Sequence, residues 1–167
     1  VGVGYLGRFH AQKYAAVPGS RLVAVVDASA ETAQRVGAEL GVPGYSDFHE
    51  LLGKVDAVSI AVPTPHHFQV AKAFLENGIH VLVEKPITTT VEEARELVDL
   101  AAARKRVLQV GHLERFNPAI LAAEALLGKP RFVESHRLAP FKQRGTDVSV
   151  VLDLMIHDID LIQTLVG

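Results

Sequence analysis

The first seven residues, Val1-Gly2-Val3-Gly4-Tyr5-Leu6-Gly7, decide the fold of this 167-residue chain. They read as the stump of a β-strand entering G-x-G-x-x-G, followed by a helix from Leu6 to Ala16 that Pro18-Gly19 stops. Each glycine at this spacing has its own physical reason. The first permits a tight turn, the second lets backbone approach a pyrophosphate, and the third lets the helix pack against its strand. The helix then presents unpaired N–H groups and the positive end of its dipole to the phosphates. The hexapeptide alone is a weak signal, because a glycine-rich turn with no ligand reads the same way.

The residues outward of the turn strengthen the dinucleotide reading. Arg21–Asp27 (RLVAVVD) is a second strand, and Asp27 ends it 20 residues after Gly7. A carboxylate there receives ribose hydroxyls and repels a 2′-phosphate, which favours NAD over NADP. Capping of the next helix, Ala30–Leu40, is the competing use of Asp27. Ala57–Val62 is apolar almost throughout, the pattern of a parallel strand buried on both faces. A helix from His67 to Asn77, a strand His80–Glu84, a capping box at Thr90-Val91-Glu92-Glu93, a helix to Arg104 and a strand Val107–Gly111 follow. Strands alternating with helices demand crossover connections, so the class is α/β: a Rossmann doubly wound parallel sheet with helices on both faces.

After Gly111 the rhythm changes. A helix from Pro118 to Leu127, a strand Arg131–Leu138, a polar loop Lys142–Asp147 and a helix from Ser149 to Val166 are predicted. A lone strand has two unpaired edges. The expectation is therefore a Rossmann domain over 1–112 and the start of an α+β substrate domain over 113–167, in a sequence cut at both ends.

Composition narrows the function classes. A formal net charge of -2 offers no basic field for nucleic acid or an anionic membrane surface. The chain has no cysteine, which excludes disulfides and thiolate metal sites. No apolar run approaches the ~20 residues that span a bilayer. A reducing, cytoplasmic setting is expected.

Three further motifs carry the chemistry. Glu84-Lys85-Pro86 follows a buried strand, at the carboxyl end where open α/β sheets bind ligands. A surface ion pair before a proline turn is the plainer alternative. Gly111-His112-Leu113-Glu114-Arg115-Phe116-Asn117-Pro118 follows the last strand of the alternating series. Asp153 and His157, four apart, share a helix face, with Asp160 one turn on. The flank of Val151, Leu152, Ile156, Ile159 and Ile162 is apolar enough to bury.

Glu-Lys-Pro after the fifth strand of a G-x-G-x-x-G domain resembles the Gfo/Idh/MocA family of sugar and polyol dehydrogenases. Ala61-Val62-Pro63-Thr64-Pro65 with His67, the Arg115-Phe116-Asn117-Pro118 stretch and the Asp153/His157 helix resemble the corresponding family segments. The resemblance spans the whole chain, and families of this kind run to roughly 300 residues. It implies an NAD-dependent oxidoreductase acting on a secondary alcohol of a sugar, with a homo-oligomer formed through a sheet beyond residue 167. Within the family, Glu134–Phe141, Arg144–Asp147 and Asp153–Asp160 look like the UDP-N-acetylglucosamine 3-dehydrogenase subgroup of lipid A synthesis. Met155 departs from the family, many members of which have glycine there.

On this reading Gly2, Gly4, Tyr5, Leu6, Gly7, Asp27, Pro63, Thr64, His67, Glu84, Lys85 and Arg115 form the cofactor site. Lys85, Asp153 and His157 are the catalytic candidates. His157 is the preferred base, since imidazole titrates near neutrality, and Asp153 orients it. Lys85 donates a hydrogen bond to the developing alkoxide, or itself accepts the proton. Arg137, Lys142 and Arg144 are candidates for a substrate diphosphate. The small-molecule partner is a sugar or nucleotide sugar, with no metal, nucleic acid or membrane. His10, His49, His80, His112 and His136 are left as structural or surface residues. Two other classes remain: a redox-neutral NAD-dependent glycoside hydrolase, and a non-catalytic dinucleotide-binding regulator.

Overall fold

A computed structural model describes residues 1–124, 126–128, 130–138 and 149–166. The chain divides into two compact units, Val1–Val110 and Gly111–Gly167.

The first unit alternates helix and strand: α1 (Tyr5–Ala16), β1 (Val25–Val26), α2 (Ala30–Leu40), β2 (Gly44–Tyr45), β3 (Ala57–Ile60), α3 (His67–Glu76), β4 (His80–Val83), α4 (Val91–Arg104) and β5 (Leu108–Val110). All pairings are parallel: β1 with β2, β3 with β4, and β4 with β5. Val1–Val3 lies between the two sheets and joins them. Gly2 N–H donates to Val26 O at 2.7 Å, and Ala61 N–H donates to Val1 O at 2.9 Å. Adding this segment, the lateral order is β2, β1, the opening segment, β3, β4, β5. The strand order therefore reverses at the glycine turn, which is where doubly wound sheets bind ligands.

Two cores hold the layers together. Val3, Ala11, Val25 and Val36 form one, uniting α1 and α2 with the first strands. The larger gathers Ile60, Val81 and Val83 of the sheet with Val70, Phe74, Leu75, Leu97 and Ala101 of α3 and α4. Phe74 is fully buried, and truncating it to alanine would cost about 4 kcal/mol in lost transfer energy and cavity. Helix starts follow the local chemistry. Ser29 caps α2 by accepting from Thr32 N–H at 3.2 Å. Thr90 caps α4 by accepting from Glu93 N–H, and the Glu93 carboxylate accepts back from Thr90 N–H, closing the predicted box.

The second unit differs from expectation in two places. Arg131–Leu138 is irregular rather than a strand, because no neighbouring strand among the described residues gives it a ladder. Its helix α5 covers Pro118–Glu124, and a π-turn at Val151–Met155 precedes helix α6 (Ile156–Val166). Ile156 N–H reaches back to Val151 O, so the turn is wider than an α-turn. Asp153 stands within that turn and His157 in the first turn of α6. The apolar flank is also less buried than predicted, with Val151 44% and Ile159 40% exposed. The buried residue of α6 is Asp160. No helix among the described residues is long and apolar enough to cross a membrane.

Candidate active site

The glycine turn is tight because backbone presses on backbone. Gly2 has φ +77°, and a Cβ there would lie 2.7 Å from the Ala61 carbonyl and from Val62 N. A Cβ on Gly7 would lie 1.7 Å from Gly2 O. Gly4 is the opposite case: its Cβ would meet nothing within 4 Å. Gly2 and Gly7 thus lock helix to strand, while Gly4, at the N-cap of α1, faces open space. Tyr5 is 76% and Leu6 41% exposed, so the first turn of α1 offers backbone N–H groups beside that space.

Asp27 is held by backbone alone. Its Oδ2 accepts from Val3 N–H at 2.9 Å and its Oδ1 from Ser29 N–H at 3.0 Å. Both oxygens keep a second lone pair for ribose hydroxyls. Ser29, not Asp27, is the side-chain cap of α2.

The segment after β3 enters a short 3-10 turn, Thr64–His66, with Pro63 exposed at its start and Thr64 buried. His67 is 1% exposed and its two ring nitrogens each lie 2.8 Å from a backbone carbonyl, Pro86 O and Val62 O. It ties the loop after β3 to the loop after β4. Glu84 is buried at the end of β4, its N–H donating to Ile60 O at 2.9 Å. Its Oε2 accepts from Lys85 N–H at 3.2 Å. Lys85 is half-buried, and the Lys85–Pro86 peptide is cis.

NAD is a fitting occupant on three observations. Gly4 leaves room for close approach, the first turn of α1 presents donors, and Asp27 keeps lone pairs for ribose hydroxyls. A model of the Gfo/Idh/MocA oxidoreductase family, with its NAD-binding Rossmann fold, matches residues 1–112. The chain belongs to the Gfo/Idh/MocA family. It is 50% identical over its full length to the UDP-N-acetylglucosamine 3-dehydrogenase of Acidithiobacillus ferrooxidans, covering 53% of that protein. A solved structure of that enzyme superposes with a TM-score of 0.93 over 99% of this chain and 55% of that one. The NAD(+)-dependent scyllo-inositol 2-dehydrogenase of Bacillus subtilis is 33% identical over all of this chain and 53% of its own. Scyllo-inositol dehydrogenase from Lactobacillus casei, solved without cofactor, matches with TM-score 0.89 and 29% identity, over 99% of this chain and 53% of that one. The chain thus spans about half the length of the relatives it matches.

The second unit of this Gfo/Idh/MocA chain carries its own polar cluster. Arg115 grips Asp160 with Nε and Nη2, the Nε contact being 2.8 Å. His112 Nδ1 stands 3.7 Å from Asp160 Oδ1. Hydrogen bonding to Arg115, helped by the charges of His112 and His157, holds the Asp160 carboxyl below the ordinary aspartate range. Arg137 grips Asp158 at 2.9 and 3.0 Å, which lowers the Asp158 carboxyl, with Ser135 and His157 adding to the effect. Arg137 is therefore neutralised within its own unit and is not a bare diphosphate ligand. Lys142 and Arg144 lie outside the described residues. Among those described, no group of three or more His, Asp or Glu is placed to hold a metal.

Sequence reasoning missed His10, Ser59, Ser29, Asp158 and His112. His10 had a usable signal: with Gly7, Ala11 and Tyr14 it falls on the i, i+3, i+4, i+7 stripe of α1 that faces the sheet. The pairing of two aspartates with arginines 21 and 45 residues away had none.

Proposed function

We propose that the protein containing this chain is an NAD-dependent dehydrogenase that oxidises the C3 hydroxyl of a UDP-N-acetylhexosamine to a ketone. The observation that carries this reading is the end of β4. There a buried Glu84 and the adjacent Lys85 stand one strand away from a glycine turn shaped for a pyrophosphate. The choice of substrate is supported by the 50% identity to a UDP-N-acetylglucosamine 3-dehydrogenase.

NAD, when bound, supplies the acceptor for the hydride that leaves the alcohol carbon. The residues of the chain do the rest. Backbone N–H groups at Gly4, Tyr5, Leu6 and Gly7 hold the pyrophosphate, with Gly2 keeping the turn closed. Asp27 accepts from the adenosine ribose hydroxyls, and its charge excludes a 2′-phosphate, so NAD is preferred over NADP. Pro63 and Thr64 line the cofactor's path, and His67 fixes the loop that carries them. Glu84 anchors the Lys85 backbone, and the Lys85 ammonium donates to the substrate oxygen as negative charge develops there. His157 takes the hydroxyl proton, with Asp153 orienting it. Arg115, whose Nε and Nη2 hold Asp160, meets the cofactor or an anionic substrate. Alcohol and NAD+ become ketone, NADH and one proton.

The test is NADH formation, read by absorbance, with the full-length protein on UDP-N-acetylglucosamine, other UDP-sugars, free hexoses and inositols. Turnover confined to UDP-N-acetylhexosamines is expected. Turnover on inositols alone would overturn the substrate assignment, and no NADH from any alcohol would overturn the reaction itself.

A further inference from the structure

Beneath the proposed site runs a chain of three side chains from three elements. Ser59 Oγ of β3 lies 2.7 Å from His10 Nδ1 of α1. His10 Nε2 lies 3.1 Å from Glu84 Oε1 at the end of β4. The side chains of His10 and Glu84 are 14% and 8% exposed, so this is a contact largely shielded from water.

The energetics turn on Glu84. An ionised carboxylate taken out of water costs several kcal/mol unless donors or an opposite charge compensate it. Oε2 has Lys85 N–H. Oε1 is fully buried without an aligned hydrogen bond, and His10 Nε2 stands 3.1 Å from it. With Ser59 donating its O–H to Nδ1, the ring hydrogen sits on Nε2, beside the carboxylate though not aligned with Oε1. A ring held at this distance limits where Oε1 can rest. The position of Oε1 fixes Oε2, and Oε2 fixes the amide of Lys85.

We propose that His10 is a positioning residue for the reaction: braced by Ser59, it holds the Glu84 carboxylate so that Lys85 is presented at the reacting oxygen. The inference rests on the dehydrogenase reading above and adds to it a residue that never touches substrate. It also ties the helix that cradles the pyrophosphate to the strand end that carries the lysine.

The experiment uses the full-length protein with His10→Leu, His10→Gln, Ser59→Ala and Lys85→Ala. Leucine fills the space without a donor, whereas the glutamine carboxamide can put an N–H near the place of Nε2. His10→Leu is expected to lower kcat about 10- to 100-fold through a misplaced lysine, with KM for NAD changed less than about 3-fold. His10→Gln should restore most of that loss, and Ser59→Ala should lower kcat about 3-fold. A second readout needs no turnover. Deuterium uptake of the cofactor-free protein, over the peptide containing Leu82–Thr88, should accelerate in His10→Leu and stay near wild type in His10→Gln.

Wild-type kcat and wild-type exchange in His10→Leu would overturn the inference. So would equal losses in the leucine and glutamine variants that track a shared fall in Tm, since that marks a packing role. If His10→Leu fails to fold, Ser59→Ala decides: unchanged kcat and exchange there refute the relay. Lys85→Ala separates the two levels. Its retaining turnover would sink the role of Lys85 and the relay with it, and the absence of NADH from the wild-type protein would sink the dehydrogenase reading, while an inactive Lys85→Ala beside a normal His10→Leu would sink only the role of His10.

Discussion

Asp27 and Asp160 are both aspartates at polar sites, yet the two units hold them by opposite means. In the first unit Asp27 is fixed by two backbone N–H groups, and Glu84 accepts from the Lys85 backbone with the His10 ring beside its other oxygen. In the second, Asp160 and Asp158 are each clasped by an arginine fork. A backbone donor fixes a carboxylate while leaving it its charge and spare lone pairs. A guanidinium fork cancels the charge and fills the directions in which the carboxylate could accept. The first arrangement suits a group that must still receive a ligand, and the second suits a group that holds a chain together.

That contrast can be broken most forcefully at the lysine. Lys85→Ala should lower kcat about 100- to 1000-fold while the Kd for NAD, measured by titration calorimetry, stays within a small factor. Equal losses in both would show that the strand end serves binding rather than chemistry. The glycine turn sharpens the point next. Gly7→Ala drives a methyl into Gly2 O and should lower Tm by about 10 °C or more. Gly4→Ala should fold normally and lose NAD affinity, because its methyl enters the space a phosphate needs.

The arginine-held side is expected to respond in stability instead. Asp160→Asn should cost about 2 kcal/mol by denaturant titration, through loss of a charged hydrogen-bond partner. The sign with pH follows from the direction of the shift. The folded carboxyl lies below the ordinary 3.8, so its stabilisation is present above that value and is lost as pH falls through the folded value. The difference in stability between wild type and Asp160→Asn should therefore shrink in the acid range below about pH 4. A difference that persists undiminished there would show that Asp160 acts through packing. The smallest effect is expected at Thr90→Ala, which removes one cap from α4 and should cost about 1 kcal/mol with kcat unchanged.

Much of the first unit was legible because its determinants are local. β-Branched runs, a capping box and glycines at fixed spacing specify β3, α4 and the turn without reference to distant residues. α2 falls on Ala30–Leu40 as read, because Ser29 and Gly41 punctuate it. The rest depends on neighbours that sequence does not name. Arg131–Leu138 has strand-like residues but no ladder among the described residues, so propensity alone does not make it a strand. His67 reads as a cleft residue from its motif, yet its nitrogens face two backbone carbonyls whose proximity only the fold creates. The pairing of His10 with Glu84 is hidden for the same reason: the two lie 74 positions apart in the chain.

The π-turn at Val151–Met155 has a consequence for how this helix can be altered. A π-turn is one residue inserted into an α-helix, so everything before it is rotated relative to everything after it. Removing Leu154 or Met155 would shorten the spacing of Asp153 and His157 to three residues and swing Asp153 about 100° around the helix axis relative to His157. A one-residue deletion would thus retune the relative aim of two catalytic candidates without replacing either of them.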